Sequence, residues 1–184
     1  RGLVGSEMCI RDRGTNPELI TTSSFLIEGI PFVFTNSAMG CLVDVDIDTG
    51  LIKIEKFWAV EDCGTQINPK LVEEQIKGGV VQGIGGALYE ENIYDEYGNL
   101  VNGNMADYLV PMAYEMPDII VDHVVTNSGR SILGAKGAGE AGTGGAPAAI
   151  MNAVNDALKV KNVEVTSQPI TCLLYTSPSP RDRV

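Results

Sequence analysis

One glutamate, Glu140, stands in a stretch built almost wholly of glycine and alanine, Leu133-Gly-Ala-Lys-Gly-Ala-Gly-Glu-Ala-Gly-Thr-Gly-Gly145. A carboxylate with neighbours this small could serve as a general base. Burial among apolar atoms would raise its pKa toward the working pH, and the missing side chains would let a metal or substrate come close. Lys136, four residues earlier, would oppose that shift by favouring the charged form. The residues taken alone favour a plainer role, a first-turn acid complementing the dipole of the helix that follows.

The same stretch contains Gly137-Ala-Gly-Glu-Ala-Gly142, which fits the G-x-G-x-x-G pattern of dinucleotide loops. That pattern requires a strand running straight into the first glycine and an acid closing a second strand. Here the nearest strand-like run, Ile119–Val125, ends well before Gly137, and the next acid, Asp156, falls inside a helix. A Walker A loop is excluded because Lys136 precedes its glycine and no Lys-Ser or Lys-Thr follows. Asp44, Asp46 and Asp48 lack the glycine and terminal glutamate of a calcium loop and fit a solvated strand face. His123 is the sole histidine, with no second histidine or cysteine pair to make a metal site. No side chain is therefore expected to ligate a metal directly.

The elements that would position Glu140 are legible from periodicity. Gly40–Gly50 alternates apolar and acidic residues and ends in a turn, with Leu51–Val60 as its hairpin partner. Asn68-Pro69 is a helix start, cap followed by first-turn proline. Val72, Ile76, Val80, Ile84 and Leu88 then mark one face of a long helix. This helix also carries Gly78, Gly79, Gly83, Gly85 and Gly86, each costing about 1 kcal/mol relative to alanine. So many glycines require a second backbone or a bulky cofactor close by. A turn is expected at Tyr97-Gly98-Asn99, a strand over Ile119–Val125, and a helix over Ala146–Leu158 with Pro147 near its start. A glycine-rich loop entering that helix would offer backbone N–H groups to a polar ligand.

Over 184 residues the formal net charge is -11, which argues against a nucleic-acid partner. No run approaches the length of a membrane span and no leader pattern is present, so a soluble, cytoplasmic protein is expected. The ends stand apart. Leu173–Asp182 and Leu3–Asp12 can be encoded by opposite strands of one short DNA duplex, so residues 1–13 and 172–184 resemble translated sequencing adapter. Setting them aside enlarges the acidic excess and leaves Cys41 and Cys63 as the only cysteines, with no disulfide framework.

Three blocks in order carry a resemblance: Val60-Glu-Asp-Cys-Gly-Thr-Gln-Ile-Asn-Pro69; Gln75-Ile-Lys-Gly-Gly-Val-Val-Gln-Gly-Ile-Gly-Gly-Ala-Leu-Tyr-Glu-Glu91; and Leu133–Gly142 with Ala146-Pro-Ala-Ala-Ile150 and Asn152-Ala-Val-Asn-Asp-Ala157. Together they resemble the later part of the molybdenum-cofactor subunit of the xanthine dehydrogenase and aldehyde oxidase family. The resemblance implies an α+β fold over residues 14–171, a fragment of the molybdenum-cofactor-binding domain of a large subunit. It implies hydroxylation of an aldehyde, purine or other N-heterocycle, or oxidation of carbon monoxide, with water as the oxygen source. Glu140 matches the catalytic base, Gln75 the glutamine that hydrogen-bonds the pterin, and Gly137, Ala138 and Gly139 the backbone lying against the metal's ligands.

The cofactor implied is molybdenum–molybdopterin, in the cytosine dinucleotide form usual in bacterial relatives. Electrons would leave through 2Fe-2S clusters to FAD on partner subunits of a hetero-oligomer. The upstream segments and the facing loop of such subunits are absent, so the fragment is expected to be inactive alone. Two other readings remain: a nicotinamide-dependent dehydrogenase, if a strand runs directly into Gly137 in a βαβ unit, and a non-catalytic binding or scaffold domain, if Glu140 is exposed and far from any pocket and from the Gln75 helix.

Overall fold

A computed structural model describes residues 22–24 and 33–171; residues 1–13 and 172–184 lie outside this range. The chain divides into two compact units, Arg1–Phe32 and Val33–Val184, and all that follows concerns the second. Its described residues form an α+β arrangement in which a three-stranded sheet of order β1-β2-β3 carries two helices.

β1 (Asn36–Val45) and β2 (Ile52–Asp62) make the expected antiparallel hairpin. β1 stops at Val45, so Asp46 and Asp48 belong to the turn and not to a strand face. The Asp46 carboxylate accepts from the amides of Asp48 and Thr49, and Gly50 closes the turn at a φ of 76°. A register shift between Leu42 and Val43 inserts one extra residue into β2, which changes its parity. Ile54 on one side of the bulge and Phe57, Ala59 and Glu61 on the other are thereby all buried.

Asn68 caps α1 (Pro69–Leu88), accepting from the Leu71 amide, and Pro69 occupies its first turn as the sequence implies. The chain then crosses to β3 (Asp118–His123), which pairs parallel with β2 from Lys56↔Asp118 to Glu61↔His123. The expected turn at Gly98 is present, with Asp95 accepting from the amides of Tyr97 and Asn99.

α2 (Ala141–Leu158) starts five residues before the expected Ala146, so Pro147 is internal and Gly142–Gly145 belong to the helix. It packs on β1 and on α1, and α1 reaches β3. Ile76, Val80, Ile84 and Ala87 of α1 meet Ala146, Ile150, Val154 and Leu158 of α2 in one core with Phe57 and Ala59. Asn155 ties the returning chain to α2 by donating to the Val165 carbonyl (2.9 Å) and accepting from its amide (2.7 Å). Val165 and Ile170 are thereby held in the core.

The glycines explain the early start of α2. A Cβ on Gly142 would lie 2.2 Å from the Ile76 carbonyl oxygen and 2.8 Å from the Val80 nitrogen. One on Gly79 would meet Gly142 and Thr143, and one on Gly83 would sit 2.6 Å from the Ala146 Cβ. Backbone meets backbone here, and no cofactor is needed to account for these three positions. Gly86, by contrast, faces open space.

Opposite outcomes are therefore expected from the same substitution. Gly142→Ala lowers stability by about 3 kcal/mol or more because the helices must separate. Gly86→Ala raises it by about 0.5–1 kcal/mol through helix propensity. Urea titration of both variants checks this, and equal effects would remove the close-approach explanation.

Candidate active site

The sequence-derived residues converge on the N-terminal end of α2. The Gln75 side chain, on α1, donates through Nε2 to the Gly139 carbonyl at 2.7 Å, so Gln75 and the residue preceding Glu140 are in direct contact. Glu140 is the N-cap of α2. Its carbonyl accepts from the amides of Thr143 (3.1 Å) and Gly144 (3.4 Å), while its side chain makes no capping bond. The carboxylate is thus beside the positive end of the helix yet uncommitted to it. One turn further, the Thr143 hydroxyl donates to the Gly79 carbonyl at 3.1 Å and lies 3.3 Å from Gln82 Oε1.

Two expectations are corrected. Glu140 is exposed among the described residues, not enclosed by apolar atoms, because the loop lies at the surface beside the exposed face of α1. Lys136 does not act on Glu140 as a free cation. Its ammonium pairs with the Asp62 carboxylate at 2.8 Å and donates to the Thr126 hydroxyl at 2.5 Å, with both charged side chains about nine-tenths buried. Asp62 also accepts from the amides of Gly64 (3.0 Å) and Thr126 (3.1 Å) and from the Thr126 hydroxyl. The Lys136 ammonium, followed by the Thr126 donors, holds the Asp62 carboxyl well below the usual carboxylate range.

The loop carrying Glu140 is thus held at both ends. Gly64 bridges Ala135, the Lys136 amide donates to the Cys63 carbonyl at 2.7 Å, and Thr65 donates to Gly134. Gly64, at a φ of 65°, would place a Cβ 2.1 Å from the Gly134 carbonyl oxygen, so both conformation and space demand glycine there. Sequence reading passed over Asp62 and Thr126. The only available signal was an acid immediately before Cys63-Gly64 and a lysine in the loop, far apart in the chain and with nothing to pair them.

His123 has the structural role expected of it, its Nε2 lying 3.1 Å from the Gly64 carbonyl. Cys63 is a buried thiol pushed up by desolvation. Glu61 is fully buried on the core face, and neither carboxylate oxygen has a hydrogen-bond partner.

The glycines of the loop differ from those of the helix contact. Gly137 and Gly139 do not have a positive φ. Among the described residues, a Cβ on Gly139 would meet nothing within 4 Å, and one on Gly137 only the Val33 carbonyl oxygen at 3.7 Å. Gly78 and Gly86 of α1 are equally open and share one exposed face with Gln75 and Gln82. Neither conformation nor internal packing requires glycine at these positions, so Gly78, Gly137 and Gly139, like Gln75 and Glu140, present open surface among the described residues. No strand enters Gly137: β3 ends at His123, and an irregular segment intervenes, which removes the support for a dinucleotide loop. Of the features that would support a scaffold reading, the exposure of Glu140 is met, whereas its separation from the Gln75 helix is not, since Gln75 bonds to Gly139.

An uncommitted carboxylate at a helix N-terminus thus stands beside the side-chain amide of Gln75. Residues 6–117 match the family model described as "Molybdopterin cofactor-binding domain". The chain is 43% identical over 152 residues to the nicotine 6-hydroxylase large subunit of Paenarthrobacter nicotinovorans, covering 83% of this chain and 18% of that one. It is 40% identical over 129 residues to the carbon monoxide dehydrogenase large chain of Afipia carboxidovorans, covering 70% and 16%. Among solved structures, quinoline 2-oxidoreductase from Pseudomonas putida 86 superposes with a TM-score of 0.73 at 45% identity, covering 75% of this chain and 18% of that one. The chain belongs to the molybdopterin cofactor-binding domain family. It spans less than a fifth of the length of these relatives.

Burial pushes the Glu61 carboxyl up to about 7. Because the folded state raises this pKa, its stabilising contribution is complete below the unfolded value near 4.5 and is lost as pH rises through about 7. Glu61→Gln should flatten that dependence and stabilise the protein at pH 8 by on the order of 2 kcal/mol. Thermal unfolding between pH 4 and pH 8 tests it, and an unchanged slope in the variant would assign the dependence elsewhere.

Proposed function

We propose that this chain is the portion of a molybdenum hydroxylase large subunit that supplies the general base, Glu140, and part of the cofactor's seat. The seat comprises the Gln75 amide and the backbone of Gly137, Ala138 and Gly139. The observation that carries the reading is the Gln75–Gly139 hydrogen bond, which brings together the two blocks of sequence bearing the cofactor and base residues. The open sides of Gly137 and Gly139 supply the room.

When bound, the molybdenum–pterin group supplies the redox centre for hydroxylating an aldehyde, purine or other N-heterocycle with oxygen from water, or for oxidising carbon monoxide. Gln75 fixes the loop through Gly139 and presents its amide to the pterin. Glu140 takes a proton from the oxygen that attacks the substrate. Its exposure in this chain fits a site whose opposite wall comes from elsewhere in the subunit, where closure would desolvate the carboxylate and make it a better base.

The relatives' designations as large subunits and chains support a hetero-oligomer. Within it, an iron–sulfur subunit with 2Fe-2S clusters and a FAD subunit would receive the electrons, and the pterin would carry the cytosine dinucleotide. No helix among the described residues is long and apolar enough to cross a membrane, and we place the assembly in the cytoplasm.

The test uses the full-length subunit assembled with its partners. Glu140→Gln keeps its molybdenum and loses turnover by about a thousandfold; normal turnover in this variant would refute the base assignment. Gly139→Ala leaves thermal stability unchanged, since its Cβ meets nothing within the fold, yet lowers molybdenum content several-fold. Full loading of the alanine variant would show that the open side of Gly139 is not a cofactor surface.

A further inference from the structure

The loop bearing Glu140 is anchored through two side chains of different kinds. At Gly139 the anchor is the neutral amide of Gln75; at Lys136 it is the buried ion pair with Asp62, with Thr126 bonded to both partners. A lysine four residues from a general base would bias that base electrostatically unless its charge were compensated. Asp62 compensates it, and the same carboxylate is fixed by the amides of Gly64 and Thr126, so it is rigid as well as charged. The Lys136 backbone is held too, by the Cys63 carbonyl and through the neighbouring Gly64–Ala135 bridge.

We propose that Asp62 and Lys136 are positioning residues for Glu140. Their ion pair fixes the loop's height above β2 while cancelling the cation's field at the carboxylate. The proposal rests on the reading of Glu140 as the base. Thr126 is the hydroxyl that keeps the pair in register. The other titratable groups at these strand ends are Glu61, Cys63 and His123, buried or half-buried, and the exposed Asp122. None of them makes a hydrogen bond to the Lys136 ammonium.

The test compares Asp62→Asn, Lys136→Met, Thr126→Val and Glu140→Gln in the assembled full-length enzyme. It measures molybdenum content, kcat and KM per molybdenum, the pH profile, and hydrogen exchange of the amides of residues 134–140. For the two charge variants the expected result is retained molybdenum, kcat down about thirtyfold from misplacement of the base, KM nearly unchanged, and faster exchange at Ala135 and Lys136. The acidic limb of the rate profile should move down in pH for Asp62→Asn, which leaves a cation unopposed, and up for Lys136→Met, which leaves an anion unopposed. A merely structural role would not produce opposite shifts.

Turnover per molybdenum within twofold of wild type, or limbs that move in the same direction, overturns the proposal. If the charge variants fail to accumulate, Thr126→Val decides: faster exchange with reduced kcat supports the pair's role, and no change in either overturns it. Glu140→Gln separates the two claims. Full turnover in that variant sinks the base reading and this proposal with it, whereas loss of turnover there with normal Asp62→Asn kinetics sinks the positioning role alone.

Discussion

The contact on which the arrangement depends is the near-touching of two helix backbones. Gly79 and Gly83 on α1 face Gly142 and Ala146 on α2, and with no side chain larger than the Ala146 methyl among these four the helices can meet this closely. Separation by even one methyl group would displace the Ile76, Val80 and Ile84 row from the Ile150 and Val154 row, and the core between helices and sheet would open. It would also move the start of α2 away from α1. The Gln75 bond to Gly139 and the Thr143 bond to Gly79 both cross that gap, so the geometry at Glu140 is set by the same contact that closes the core.

Starting from that contact, the polar links around the loop form a short hierarchy. The helix crossing fixes where α2 begins, and the Gln75 amide fixes the residue before it. The buried Asp62–Lys136 pair fixes the loop's approach from the sheet. Each is poor support alone. A single hydrogen bond contributes about 1 kcal/mol net, and a buried ion pair recovers little beyond its desolvation cost. Their value lies in direction, because links from α1 on one side and from β2 on the other leave a glycine-rich loop few conformations. Glycine and alanine give such a loop no means of ordering itself, and order must be imposed from outside.

Most of the secondary structure was legible in the sequence because it is a matter of local pattern. The hairpin, the Asn68-Pro69 helix start, the Gly98 turn and the strand near Ile119 all follow from alternation, capping or turn chemistry. Two boundaries were misplaced for tertiary reasons. Asp46 and Asp48 continue the alternation of β1, but the Asp46 carboxylate finds turn amides to bind and ends the strand. Gly142–Gly145 have poor helix propensity and read as loop, but Gly142 lies against the Ile76–Val80 backbone and Thr143 bonds to Gly79, contacts with α1 made from a helical turn. At the proposed site, Gln75 and Glu140 were singled out through their motifs and the structure brings their two blocks together, whereas Asp62 and Lys136 were not paired, since they lie 74 residues apart. The parallel crossover from β2 through α1 that lets them meet has no local signal in the chain.

The glycines, sorted by what each one would strike, separate the interior from the working surface. Gly64 needs both its positive φ and its clearance, and Gly79, Gly83 and Gly142 need clearance alone; these serve the fold. Gly78, Gly86 and Gly139 have neither need within the described residues, and Gly137 has only one ordinary contact. Each still carries the entropic cost of glycine, about 0.5–1 kcal/mol in a helix. A position that bears this cost without an internal reason is best accounted for by something external that comes as close as a backbone does. Gly78 and Gly86 share the exposed side of α1 with Gln75, and Gly137 and Gly139 flank Ala138 just ahead of Glu140. Of the open glycines, Gly78, Gly86, Gly137 and Gly139 lie near Gln75 and Glu140, the proposed cofactor contact and base, while Gly40, Gly129 and Gly144 are equally open in other parts of the chain.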